Sequence, residues 1–284
     1  MFNKYPFLET YQDYIIAIYD KETPIEIIVD KSIDITTMRH LQTTLKSHNL
    51  DVNIKVDHKR HDVDVLAVMS GKGGVGKSYV TSLLAKAYSE DKKVLLLDLD
   101  IYGYSIPEIF NCFEEIKMID DQLMPIKYDD HLDIISAQYF IKDLQNEAII
   151  WRGPKLNQLM DLMINHIDYR KYDLVIIDTP PTTGDIVLNI NQYYSNVSCY
   201  LVTTPKVLDQ KVSLRSYQLA NQLGFNCLGY IVNQSYYNYN NEKLYIYGQD
   251  YLNQIKPLIK CELEINNDDH NLLLIKNMIE KSCK

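Results

Sequence analysis

The chain has 284 residues, 46% of them apolar and 24% charged, which is enough for one large domain, or one domain with a small module, around a sizeable core. That composition excludes wholesale disorder. Its 38 acidic against 29 basic residues give a formal charge of −9, so nucleic acid and anionic lipid are repelled on average and neither is expected as a partner. No run of 18 apolar residues is present, and the N-terminal stretch carries Glu9, Asp13 and Asp20 where a secretory leader would be apolar. The five cysteines (Cys112, Cys199, Cys227, Cys261 and Cys283) are odd in number and scattered, with no CxxC. They read as reduced, mostly buried thiols of a cytoplasmic protein, neither a disulfide framework nor a zinc site.

In chain order, residues 14–30 hold two apolar runs broken by Lys21-Glu22-Thr23-Pro24, a hairpin. Residues 35–49 read as a helix, and Val52–Val56 alternates like a strand, so a small ββαβ module occupies residues 1–60. The charged run from Asp57 to Asp62 is the expected joint, and residues 61–284 form the second domain. From Val63 the pattern changes. Val63–Met69 is a nearly continuous apolar run, as in a strand buried on both faces of a parallel sheet. Val80, Leu83, Leu84 and Ala87 then recur at helical spacing. Further buried strands are expected at Val94–Leu97, Leu132–Ser136, Leu174–Ile177, Cys199–Val202 and Leu228–Val232, with helices at Lys155–His166 and Leu208–Leu223. This βαβ succession predicts a doubly wound α/β fold with a mostly parallel sheet.

The first strand of that domain runs into Ser70-Gly71-Lys72-Gly73-Gly74-Val75-Gly76-Lys77-Ser78, which fits G-x-x-x-x-G-K-[ST] between a strand and a helix. The glycines let backbone N–H groups converge on phosphate oxygens at a helix N-terminus. Lys77 is expected to reach the β- and γ-phosphates of ATP, and Ser78 to ligate Mg²⁺. The alternative, a glycine-rich turn without function, accounts for neither the spacing nor the flanking elements. Downstream, Asp98 and Asp100 end the second strand, where open α/β sheets bind ligands. Asp100 is read as orienting the attacking water and Asp98 as touching the magnesium shell; a helix cap or turn explains one aspartate but not both. Leu174–Asp178 is an apolar strand ending in Asp, so Asp178 is the expected metal-side carboxylate. The following Thr179–Asp185 loop is a candidate γ-phosphate sensor.

The stretch KGGVGKS resembles the deviant Walker A loop of the ParA/MinD/nitrogenase-iron-protein class of P-loop ATPases. That resemblance implies a homodimer bridged by nucleotide, with Lys72 reaching the partner's phosphates; otherwise Lys72 is a solvated loop lysine. The pieces DLDIYGYSIP, IIWRGP (Ile149–Pro154), LVIIDTPPTTGD, VTTP (Val202–Pro205) and GYIVNQSYY (Gly229–Tyr237) stand in the order found in the Mrp/ApbC branch, over residues 63–248. The resemblance implies an ATP hydrolase of slow turnover linked to iron–sulfur cluster carriage and assembly. It also places Asn233 at the adenine base, where a strand-end cap is the other reading.

One part of the pattern is missing. The branch carries a CxxC just after the N-x-S-Y-[FY] stretch, and two such pairs hold a shared cluster at the dimer interface. Here residues 233–243 contain no cysteine. Thiolates are what such a cluster needs, so an iron–sulfur cofactor is not expected there. This keeps a second reading open, a ParA/MinD-like positioning or regulatory switch acting on a partner protein or surface. Tyr230, Tyr236, Tyr237, Tyr239, Tyr245, Tyr247 and Tyr251 read as an aromatic surface patch. Leu272, Ile275 and Ile279 share a helical face near the C-terminus, read as a closing helix in preference to a membrane tail.

Overall fold

A computed structural model describes residues 2–20, 23–30, 33, 35–57, 61–101, 103, 105–120, 122–141, 154–181 and 185–282. Outside these lie Lys21 and Glu22 of the expected turn, residues 58–60 of the expected joint, most of the IIWRGP stretch, Thr182-Thr183-Gly184 and Cys283. The chain divides into two compact units, Met1–His61 and Asp62–Lys284.

In the first unit, β1 (Ile15–Tyr19) pairs antiparallel with β2 (Ile25–Asp30). Helix α1 (Ile35–Ser47) then leads to β3 (Val52–Asp57), which lies parallel to β2. Two short 3₁₀ turns, Phe2–Lys4 and Pro6–Tyr11, precede them, a feature the apolar spacing does not announce. They supply Leu8 and Tyr11 to a core with Ile15, Ile27, Val29, Leu41 and Leu45. Tyr11 keeps its hydroxyl satisfied there, 2.8 Å from His40 Nδ1 and 2.9 Å from Thr44 Oγ1.

The second unit opens with β4 (His61–Ser70), α2 (Lys77–Tyr88), β5 (Val94–Asp98) and the short α3 (Ile106–Ile109). A hairpin of β6 (Lys117–Ile119) and β7 (Gln122–Met124) follows, then β8 (Ile126–Lys127), β9 (Leu132–Ser136) and α4 (Gln138–Ile141). Beyond these come α5 (Pro154–Asn165), β10 (Leu174–Asp178), α6 (Asp185–Tyr193), β11 (Tyr194–Thr203) and α7 (Val207–Gln222). The unit ends with β12 (Asn226–Tyr239), β13 (Glu242–Leu244), β14 (Ile259–Glu264) and α8 (Asp268–Ser282). The main sheet runs β13-β12-β11-β4-β10-β5-β9-β8, with β14 also pairing with β12. The pairings β4–β10, β10–β5, β5–β9, β11–β12 and β12–β14 are parallel, and β8 and β13 are antiparallel edges. Apolar residues on both faces explain the continuous runs in sequence. Val65, Leu97 and Ile177 pack in one cluster, and Leu66, Leu96 and Ile176 in the other.

All six strands expected in this unit form. β14 was not expected, and neither was the extension of β12 past Val232. The C-terminal segment is α8, whose Ile275 and Met278 are buried in the same cluster as Val80 and Leu84 of α2, so the apolar face closes the domain. The tyrosine patch does not hold as one surface. Tyr230 and Tyr236 are fully buried along β12, their hydroxyls meeting Ser213 O and His270 Nε2, while Tyr237, Tyr239 and Tyr247 are exposed.

Candidate functional site

Strand register builds the site. Asp178 at the end of β10 stands level with Val68 of β4 on one side and Asp98 of β5 on the other, and Asp98 stands level with Ser136 of β9. Three neighbouring strands, β10, β5 and β9, therefore end in one row at the carboxyl edge of the sheet, where ligands bind in open α/β folds, with β4 running two residues further. The loop from Ser70 to Gly76 rises from β4 over this row into α2.

Two glycines make that path possible. A Cβ on Gly71 would lie 2.6 Å from the Val212 carbonyl of α7, so only glycine lets the loop approach that helix. Gly76 has φ +79°, and a Cβ there would meet the Asn233 amide nitrogen at 2.1 Å. The loop borders a cleft of about 370 Å³ lined by Lys72, Lys77, Ser78, Asp100 and Pro181, among others.

Within it, Lys77 is buried with its Nζ 2.6 Å from Asp178 Oδ1 and 3.8 Å from Asp100 Oδ2. Ser78 donates to Asp178 Oδ2 at 2.6 Å, and Thr81 donates to Asp178 Oδ1 at 2.7 Å. A serine hydroxyl against a carboxylate is a pair of hard oxygen donors, which fits magnesium. Asp100 accepts the Gly103 N–H at 3.2 Å and faces the cleft.

Two of the expected residues are placed otherwise than the sequence suggests. Asp98 is fully buried and its oxygens are taken by the Asp100 N–H at 3.0 Å and the Ser136 hydroxyl at 2.6 Å. Burial, with the Asp178 charge beside it, pushes its carboxyl up to about 8, and with both oxygens engaged beneath the site it does not stand open as a metal ligand. Asn233 donates its side-chain amide to the Val75 carbonyl at 3.0 Å and is buried, bracing the loop from behind instead of lining the cleft.

Lys72 is half-exposed, and its Nζ lies 2.9 Å from Asp209 Oδ1. Asp209 is buried, and its second oxygen accepts the Thr204 hydroxyl at 2.7 Å. Burial works against ionisation of this carboxyl, but the hydrogen bonds from Lys72 and Thr204 outweigh it and hold the group below the usual carboxylate range. Sequence reasoning missed Asp209, Thr204, Thr81 and Ser136. The first two stand in VTTPKVLD, where the strand-end motif was noticed but not the aspartate four residues beyond its proline.

Comparison with known proteins agrees with this geometry. A ParA family model, described as NUBPL iron-transfer P-loop NTPase, matches residues 62–265. An iron–sulfur cluster carrier protein of Rickettsia felis is 35% identical over 73% of this chain and 66% of its own length. The chain spans about two thirds of that protein's length, and 52% of the length of an iron–sulfur cluster carrier protein of Bacillus subtilis that is 31% identical. Among solved structures, a nucleotide-binding protein of Archaeoglobus fulgidus in complex with ADP is 29% identical, with a TM-score of 0.58, over 78% of this chain and 89% of that one. A plasmid partition protein of Borrelia burgdorferi shares the fold at 20% identity, with a TM-score of 0.56, over 78% of this chain and 99% of its own. With a phosphate loop, a buried lysine–aspartate pair and a second loop lysine standing where this family model matches, the chain belongs to the ParA-type iron-transfer P-loop NTPases, the group that includes the Mrp/ApbC proteins.

Proposed function

We propose that this chain is a slow, magnesium-dependent ATPase whose nucleotide state controls the pairing of two copies, and that it serves iron–sulfur cluster assembly from the cytoplasm. The observation that carries the reading is the convergence of Lys77, Ser78, Asp178 and Asp100 on one cleft. The loop N–H groups and the N-terminus of α2 bind the phosphates, and Lys77 exchanges its carboxylate partners for phosphate oxygens. Mg²⁺, held by Ser78 and Asp178, would neutralise charge on the β- and γ-phosphates. Asp100 orients a water toward the γ-phosphate, and its hydrogen bond from Gly103 fixes the carboxylate for that task. Lys72 leaves Asp209 for the phosphates of the partner copy.

The test is phosphate release by the purified chain with ATP and magnesium. Asp100→Ala should retain bound ATP but turn over about 10²–10⁴-fold more slowly. Turnover at the wild-type rate would remove the role given to Asp100.

A second reading is a regulatory switch of the ParA/MinD kind acting on a partner protein. It is favoured by residues 233–243, which hold no cysteine but expose Tyr237 and Tyr239. ATP-dependent capture of a partner by a chain that binds no iron would support it.

A further inference from the structure

Cys199 and Cys227 meet across the sheet. They are register partners on the adjacent parallel strands β11 and β12, and their Sγ atoms lie 3.1 Å apart. Neighbouring strands stand about 4.7–4.9 Å apart, inside the roughly 4.4–6.8 Å range of Cα separations that a disulfide spans. Directly after the pair the register slips, with Tyr200 facing Gly229, so that Leu228 is the extra residue of a bulge. Gly229 takes φ +139° in this bulge, against the Leu258 carbonyl, where a Cβ would lie 2.5 Å away. The other described cysteines have no such partner: Cys112 lies 3.0 Å from the Tyr139 hydroxyl, and Cys261 donates weakly to the Glu262 carbonyl.

The two thiols are not equivalent. Cys199 is fully buried, whereas Cys227 is only partly buried, at the margin of the core. The hydrogen bond from Cys199 draws the Cys227 thiol below its ordinary pKa against the effect of burial, and that same bond, together with burial, pushes Cys199 up. A metal is a poorer occupant, since no group of three or more His, Cys, Asp or Glu side chains suited to one occurs among the described residues.

We propose that Cys199 and Cys227 are a redox site distinct from the nucleotide cleft, forming a reversible intrachain disulfide by exchange with a small-molecule disulfide of the glutathione type. Cys227 gives its proton to solvent, and its thiolate attacks one sulfur of the small disulfide, expelling one small thiolate and leaving a mixed disulfide. Cys199 then loses its proton and attacks Cys227 Sγ, expelling the second small thiolate. Two protein thiols and one small disulfide become one protein disulfide and two small thiols, so the protein is oxidised by two electrons and the reagent reduced by two. The bridge closes a segment holding all of α7, including Asp209. Cys227 lies six residues before Asn233, about 20 Å along an extended strand, so the site is remote from the phosphate loop.

The experiment equilibrates the reduced full chain in buffers of oxidised and reduced glutathione, traps remaining thiols by alkylation, and reads intact mass and peptide maps. The expected product has lost two hydrogens, contains a linked peptide joining residues 199 and 227, and returns to the dithiol with excess reductant. Cys199→Ser should hold glutathione on Cys227 as a stable adduct, and Cys227→Ser should give neither adduct nor bridge. Circular dichroism checks that both variants are folded, and if either is not, the wild-type peptide map decides. A wild-type chain that stays fully reduced in oxidised glutathione, or that takes up glutathione elsewhere without the 199–227 link, overturns the proposal.

Discussion

The ammonium of Lys72 is held by Asp209 of its own chain, at 2.9 Å, with Asp209 itself fixed by the Thr204 hydroxyl. A lysine that serves a neighbouring copy must first leave this contact. The ion pair is open to solvent on the lysine side, so its net worth is about 0.5–1 kcal/mol. Asp209→Asn should therefore tighten ATP-dependent pairing of two copies about two- to five-fold, and Lys72→Ala should weaken it. Light scattering on the slow Asp100→Ala background, with and without ATP, measures both. If Lys72→Ala pairs and hydrolyses as the wild type does, the lysine acts on no partner.

Lys77 has a structural task in addition to phosphate binding. Asp178 is fully buried, and Lys77 is the cation against it. Lys77→Ala should abolish ATP binding and also destabilise the nucleotide-free chain by about 3 kcal/mol, since the Ser78 and Thr81 hydroxyls cannot neutralise a buried carboxylate. For a unit of this size that is a fall in Tm of roughly 6–12 °C, readable by scanning calorimetry. An unchanged Tm would mean that Asp178 is not charged in the free protein.

Asn233 separates two accounts of one residue. As a brace for the Val75 carbonyl, its replacement by Ala should cost about 1–3 kcal/mol of stability and lower affinity for ATP and GTP alike. As a contact to adenine, the same change should weaken ATP selectively. Titration calorimetry with both nucleotides distinguishes them, and the observed hydrogen bond favours the first.

The chain should not hold a bridging [4Fe–4S] cluster at residues 233–243. Cys227 faces Cys199, and Cys261 is buried on β14, so neither supplies the missing pair of thiolates at that segment. Anaerobic reconstitution with iron and sulfide should leave little iron on the protein and no broad absorbance near 400 nm. Stoichiometric iron that is lost in a Cys227/Cys261 double variant would overturn this expectation.

The readable parts of the site were those written as contiguous motifs. The phosphate loop and the strand-terminal aspartates announce themselves because glycine spacing and a charge at the end of an apolar run are local signals. Asp209 is 137 residues from Lys72, and Ser136 is 38 from Asp98, so their contacts exist only through strand order and register. The same limit hid the contact of Asn233 with the Val75 carbonyl, which joins residues 158 apart in the chain. Strand β14 was legible in principle, since Ile259-Lys260-Cys261-Glu262-Leu263-Glu264 alternates strictly, but it is short and follows a long irregular segment. Tyr230 and Tyr236 were misread because a cluster in sequence was taken for a cluster in space; β12 runs between β11 and β14 with successive residues buried on both faces, and only its last tyrosines, Tyr237 and Tyr239, emerge.

The pairing of each loop lysine with a carboxylate has a further consequence, in the charge balance of the empty cleft. Lys72 is matched by Asp209, and Lys77 by Asp178 with Asp100 close by, so the cationic side chains that distinguish this loop bring no surplus positive charge. A bare polyphosphate would enter a pocket already at or below electroneutrality, helped only by backbone dipoles. Nucleotide and divalent cation are thereby made co-ligands: the metal restores the balance that the carboxylates have used up, and chelating it should release the nucleotide as well as stop the chemistry.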